Sequence, residues 1–168
     1  MEIKVQDTTI HYIQYGEGKD IVLLHGWGQN IEMMKPLGDN FSNRFRITII
    51  DFPGFGKSEE PKEAWNIDKY ADILDQFLQK VGVKKPIVIG HSFGGRVAIR
   101  YCARNPIEKL VLFGSPCIRI QEELSLKVKV LKKLKQLPGM NSLGEYMKQY
   151  IGSRDYKAAS SIMRQTLV

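Results

Sequence analysis

Four short runs, Ile21-Val22-Leu23-Leu24, Ile47-Thr48-Ile49-Ile50, Ile87-Val88-Ile89 and Leu110-Val111-Leu112-Phe113, constrain this chain more than any other feature of its sequence. Each is too short for a helix and too continuously apolar for a strand with one wet face, so each reads as a strand covered on both sides. Between them lie helix-like stretches, roughly Ile31 to Phe41, Ile67 to Val81 and Gly94 to Arg104. In the second stretch Ile67, Tyr70, Ala71, Leu74, Phe77, Leu78 and Val81 follow the i, i+3, i+4 spacing of one buried face. Strands alternating with helices predict βαβ units and an α/β fold with a mostly parallel, doubly wound sheet. Glu2 to Val5 and Thr9 to Tyr15, joined through Gln6-Asp7-Thr8, predict an antiparallel hairpin that opens the fold.

With 43% hydrophobic and 26% charged residues, the chain has the composition of a folded domain, and its 168 residues suffice for one substantial core. No apolar run approaches the ~18–20 residues of a membrane span. The first residues, MEIKVQDTTIHYIQYG, alternate like a strand and carry no apolar signal block. The expectation is a cytoplasmic protein without a membrane partner. Cys102 and Cys117 have neither CxxC spacing nor a histidine close in sequence, so neither a zinc site nor a disulfide framework is expected, and no cofactor or metal is implied.

The net charge of +7 is uneven. Residues 1–118 carry 15 Lys+Arg against 14 Asp+Glu, whereas residues 119–168 carry 10 against 4, which sets a domain boundary near Arg119. Past it the strand–helix alternation stops. Gln121 to Leu137 has Leu124, Val128, Leu131 and Leu134 on one helical side and most of its lysines elsewhere, with Pro138-Gly139 as a stop. Leu143 to Ile151 and Tyr156 to Leu167 predict two further helices. A solvated helix face accounts for the positive charge, so no nucleic-acid partner is expected; a membrane-surface role for the basic helix is the alternative.

Three of the strand runs end in loops that carry chemical side chains: His25-Gly26-Trp27-Gly28, Asp51-Phe52-Pro53-Gly54-Phe55-Gly56 and Gly90-His91-Ser92-Phe93-Gly94-Gly95. Open α/β sheets form their sites at the carboxyl ends of strands, so the three loops are expected to converge on one crevice. The last is a GxSxG pattern between a strand and a helix, the context in which a sharp turn exposes a serine hydroxyl, and Ser92 is the candidate nucleophile. A serine nucleophile wants a histidine base and a carboxylate to orient it, and no histidine follows His91. His91 adjoins Ser92 at the turn, so its side chain is expected to project away from the hydroxyl. His11 falls in the hairpin as an ordinary strand residue. Gly56-Lys57-Ser58 invites a phosphate-loop reading, but that pattern needs glycine where Asp51 stands.

Taken together, the three motifs in this order resemble the α/β-hydrolase superfamily, and within it the small serine hydrolases of the carboxylesterase, thioesterase and carbon–carbon bond hydrolase type. The likeness covers residues 1 to about 118, and the basic stretch after it is similar to the start of the family's helical cap. The resemblance implies that Ser92 attacks an acyl carbonyl and that the backbone N–H groups of Trp27 and Phe93 hold the oxyanion, while their side chains shape an apolar pocket. It assigns His25, Gly26, Asp51, Gly90, His91 and Gly94 to the support of the site loops, with Asp51 anchoring the turn at Pro53-Gly54. In such enzymes the acid and the histidine come after the cap. The resemblance therefore implies a chain that stops within the cap, with the sheet incomplete at its C-terminal edge and Leu110 to Phe113 an open strand. The partners implied are a small acyl substrate, together with a complementing C-terminal fragment or a second copy at that edge. A non-catalytic binding module that keeps the crevice is the competing reading.

Overall fold

The structure, a computed structural model, describes residues 1–115 and 159–166. The expected helices over 121–137 and 143–151 lie outside the described residues, as does Cys117. The chain divides into two compact units, Met1–Cys117 with Ser160–Val168, and Ile118–Ala159.

The sheet of the first unit has six strands: β1 (Glu2–Val5), β2 (Thr8–Tyr15), β3 (Lys19–Leu24), β4 (Phe45–Ile50), β5 (Ile87–His91) and β6 (Lys109–Phe113). They lie in the order β1-β2-β4-β3-β5-β6. The first two pairings are antiparallel, and β4, β3, β5 and β6 run parallel. This is the mostly parallel sheet with an opening hairpin that the sequence predicts. Helices α1 (Ile31–Phe41), α2 (Ile67–Lys80) and α3 (Phe93–Cys102) supply the crossovers, and a short α4 (Ser161–Gln165) follows. Of the helix expected from Tyr156 to Leu167, residues 156–158 and 167 lie outside the described residues, and Ser161–Gln165 are helical.

Side-chain alternation along the strands sends successive residues to opposite faces. Ile21, Leu23, Ile47, Ile49 and Ile89 form one core cluster with Ile31 and Met34 of α1. Val22, Thr48 and Val88 point the other way and are fully buried as well. Tyr12 of β2 meets Phe77 of α2 edge-on at 5.1 Å between ring centroids. Coverage on both faces explains why the central runs are continuously apolar.

The strands begin earlier than their apolar runs because their polar starts are paired. Asp20 and Arg46 face each other across β3 and β4, and the guanidinium bonds both carboxylate oxygens, at 2.6 and 2.9 Å. At the other end of the sheet β6 pairs with β5 alone among the described strands. Val111 and Phe113 are 39% and 41% exposed there. They border an open apolar groove of about 730 Å³, whose far wall is Met33, Leu37 and Phe41 of α1. Among the described residues no helix is long and apolar enough to cross a membrane.

Leu23, fully buried in the central strand, sets the expected sensitivity of this core. Leu23→Ala is expected to lower the unfolding free energy by about 2–5 kcal/mol. Met33→Ala, at a position 53% exposed, should shift it by no more than about 0.5 kcal/mol. Urea titration of the two variants checks the difference.

Candidate active site

Strand β5 runs into α3 with no connecting loop, and Ser92 alone makes the turn. Its backbone sits at φ 48° and ψ −111°, a conformation that only tight surroundings hold in a residue with a side chain. Those surroundings are specific. A Cβ on Gly90 would lie 2.6 Å from the Cα of Gly95, and one on Gly94 would lie 2.5 Å from the carbonyl oxygens of both Leu24 and His25. The glycines thus let the elbow close on itself and on the end of β3. Ser92 N–H donates to the Phe113 carbonyl (3.1 Å), tying the turn to β6. The Ser92 hydroxyl does not cap α3. Phe93 is the first residue of that helix, so its N–H has no intrahelical acceptor.

The loop after β3 is held by His25, which is fully buried. Its Nδ1 donates to the Gly26 carbonyl (2.7 Å), and its Nε2 accepts from Phe52 N–H (3.0 Å). Those two bonds require the neutral Nδ1–H tautomer. Burial lowers the pKa from 6.5 to about 4, outweighing the Gly26 hydrogen bond and the Asp51 charge, which act the other way. His25 therefore rivets the loop after β3 to the loop after β4, and its lone pair is already spent.

Asp51 gathers the second loop. Its Oδ1 accepts from Ile31 N–H at the start of α1 (2.7 Å), and its Oδ2 accepts from Lys57 N–H (3.0 Å) and lies 2.8 Å from His11 Nδ1. Its main-chain oxygen accepts from the Ser58 hydroxyl (2.6 Å). Gly56 at φ 57° leaves the room this needs, since a Cβ there would sit 2.2 Å from the carboxyl carbon. The carboxylate thus braces a wider span than the Pro53-Gly54 turn. His11 is no ordinary strand residue: it is the side chain that carries this bracing across to β2. Gln29 is likewise a site residue that its own sequence neighbourhood does not reveal. Its Oε1 accepts from Gly26 N–H (3.0 Å) and lies 3.0 Å from His91 Nδ1.

An aromatic cluster fills the space beneath the loops. Phe93 touches Phe52, Phe55 and Tyr70 with ring centroids 5.1–6.0 Å apart and is buried, so its ring belongs to the core instead of walling an open pocket. Trp27 is half-buried against Phe55 at 5.6 Å. Tyr70 donates its hydroxyl proton to the Pro53 carbonyl (3.0 Å). From the far end of the chain, Met163 lies so close over Gly54 that a Cβ there would meet its sulfur at 2.3 Å. The three loops do converge, then, and each of the chain's three histidines bonds a partner other than Ser92: Asp51, the Gly26–Phe52 pair and Gln29. Among the described residues no group of three or more His, Cys, Asp or Glu side chains is placed to hold a metal ion.

Residues 20–142 match the family model of the alpha/beta hydrolase fold. The chain belongs to this family. Among curated α/β-hydrolases it is similar to the pimeloyl-[acyl-carrier protein] methyl ester esterases of Nitrosomonas europaea and Vibrio campbellii. It is 36% identical to the first over 115 residues, which is 65% of this chain and 42% of that protein. To the second it is 34% identical over 110 residues, 64% of this chain and 41% of that protein. The chain thus spans less than half the length of these relatives. Among solved structures, a bacterial membrane phospholipase A shares the fold with a TM-score of 0.75 at 22% identity, over 99% of this chain and 60% of that one.

The depressed pKa of His25 gives a directional pH effect. As pH falls, the unfolded chain takes up this proton first, so the stability due to the neutral ring is complete above pH 6.5 and is lost progressively down to about pH 4. The loss is on the order of 3 kcal/mol. At a pH of about 5.5, where a free histidine is mostly charged, ring ¹⁵N NMR should still find His25 neutral with the proton on Nδ1.

Proposed function

We propose that this chain carries the nucleophile and the oxyanion-binding half of an ester hydrolase. The observation that carries the reading is the backbone of Ser92, forced to φ 48° between a strand end and a helix N-terminus with its hydroxyl left out of the helix cap. In the reaction, Ser92 Oγ adds to the acyl carbonyl of the substrate while a general base accepts the hydroxyl proton. The carbonyl oxygen, now an oxyanion, lies against the N–H groups of Phe93 and Trp27. Collapse of the adduct expels the alcohol, protonated by the same base, and leaves acyl-Ser92, which water hydrolyses by the reverse sequence. The names of the relatives, which are methyl ester esterases, support a carboxylic or related acyl ester as the substrate class.

That His11, His25 and His91 each bond a partner other than Ser92 supports a reading in which the general base is supplied by an added polypeptide. The same commitment favours a second reading, in which this chain on its own binds acyl compounds without turning them over.

A fluorophosphonate probe tests both. Slow, stoichiometric labelling of the chain that Ser92→Ala abolishes supports the nucleophile. It should quicken when a polypeptide corresponding to the other half of the relatives is added. Removing the base from such a site leaves roughly 10³–10⁴-fold catalysis over water, supplied by the oxyanion hole and binding, so the slow rate should remain measurable. Labelling indistinguishable from the Ser92→Ala background, with and without the added polypeptide, would leave the binding module as the function.

A further inference from the structure

The Gln29 side chain joins the loop after β3 to the serine elbow through one oxygen atom. Its Oε1 accepts from Gly26 N–H (3.0 Å) and stands 3.0 Å from His91 Nδ1. Its own N–H returns to the Gly26 carbonyl (3.2 Å), so Gln29 closes the turn that contains Trp27 from both sides. Space is tight as well: a Cβ on Gly26 would sit 2.8 Å from that oxygen and 2.9 Å from His91 Nδ1. On the elbow side the His91 ring stacks on Phe113 at 4.9 Å with an interplanar angle of 23°, and the Phe113 carbonyl accepts from Ser92 N–H. The turn that presents Trp27 and the turn that presents Ser92 and Phe93 are thus two parts of one hydrogen-bonded body.

We propose that Gln29 is a positioning residue: by accepting from Gly26 N–H and from His91 Nδ1–H at once, it sets the distance between the Trp27 and Phe93 backbone donors. The inference rests on the oxyanion role given to those two N–H groups above. An amide oxygen suits the task for a physical reason. It offers two lone pairs to two donors without placing a negative charge beside the point where an oxyanion forms. It also calls for the His91 proton on Nδ1, the form that does not turn a lone pair toward Gln29. Misplacement of a reacting group by about 1 Å can cost 10²-fold in rate, so a clamp of this kind matters even though it touches no substrate.

The test uses the full chain with Gln29→Ala and Gln29→Glu, read in three ways. In the wild type, ring ¹⁵N shifts should show the Nδ1–H tautomer for His91. In Gln29→Ala they should move toward the Nε2–H form, the Gly26 amide should exchange about two- to tenfold faster, and fluorophosphonate labelling of Ser92 should slow by about 10- to 100-fold. Gln29→Glu keeps the acceptor, so it should restore the tautomer and the Gly26 protection. Its labelling should stay below wild type, because the added carboxylate opposes the developing charge. If the His91 tautomer and Gly26 exchange are unchanged in a folded Gln29→Ala, the clamp does not exist. If both change while labelling does not, the clamp is real but positions nothing, and the proposal falls. Failure of the Ser92 reading is distinguishable: wild-type labelling would then match Ser92→Ala, while the tautomer and exchange data still decide the clamp.

Discussion

The Asp51 carboxylate holds three separate segments of the described structure in register. It stands at the end of β4, 2% exposed, and receives bonds from the first turn of α1, from the 52–58 loop and from His11 on β2. A buried anion is tolerable only when it is fully hydrogen-bonded, and here satisfying it is what assembles the loops. With Ile31 N–H anchored, α1 starts where the loop after β3 must end. With Lys57 N–H anchored, the 52–58 loop folds back so that Phe52 and Phe55 meet Phe93. The elbow then closes on a surface already built.

The division of labour between the loops is chemical. Asp51 works by charge at the outer end of the bracing, while His25 and Gln29 work by neutral dipoles nearer the elbow. His25 spends both ring nitrogens on main-chain groups, and Gln29 spends one oxygen on a main-chain and a side-chain donor. Around Ser92 this leaves backbone N–H groups and an aromatic floor, the surroundings that the proposed oxyanion role requires.

How much of this could be read from the sequence follows from the range of each interaction. Strands β3, β4 and β5 were legible because double coverage makes them continuously apolar, and α2 because its face repeats at helical spacing; β6 has the same apolar run, yet it lies at the end of the described sheet with Val111 and Phe113 exposed, so its run does not report double coverage. The strand starts were not, since Lys19-Asp20 and Phe45-Arg46 look like loop until the Asp20–Arg46 pair is seen across the sheet. The glycine-flanked elbow was legible as a local pattern whose glycines answer to close contacts. His11 and Gln29 were not. Their partners lie 40 and 62 residues away in sequence, and a lone histidine in a hairpin or a glutamine in a loop carries no local mark of such a bond. The pocket role that the resemblance implies for the Phe93 ring carries no local mark of its surroundings, which are Phe52, Phe55 and Tyr70.

The way His25 makes its bonds bears on ionic strength. The part of the joint between the loops after β3 and β4 that His25 makes consists of two hydrogen bonds of an uncharged, fully buried ring, and mobile ions screen neither dipoles nor a dry interior to any extent that matters. That part of the joint is therefore indifferent to salt. On a chain carrying a net charge of +7, salt acts instead on exposed ion pairs such as Arg104–Asp72 and on charged molecules approaching the surface.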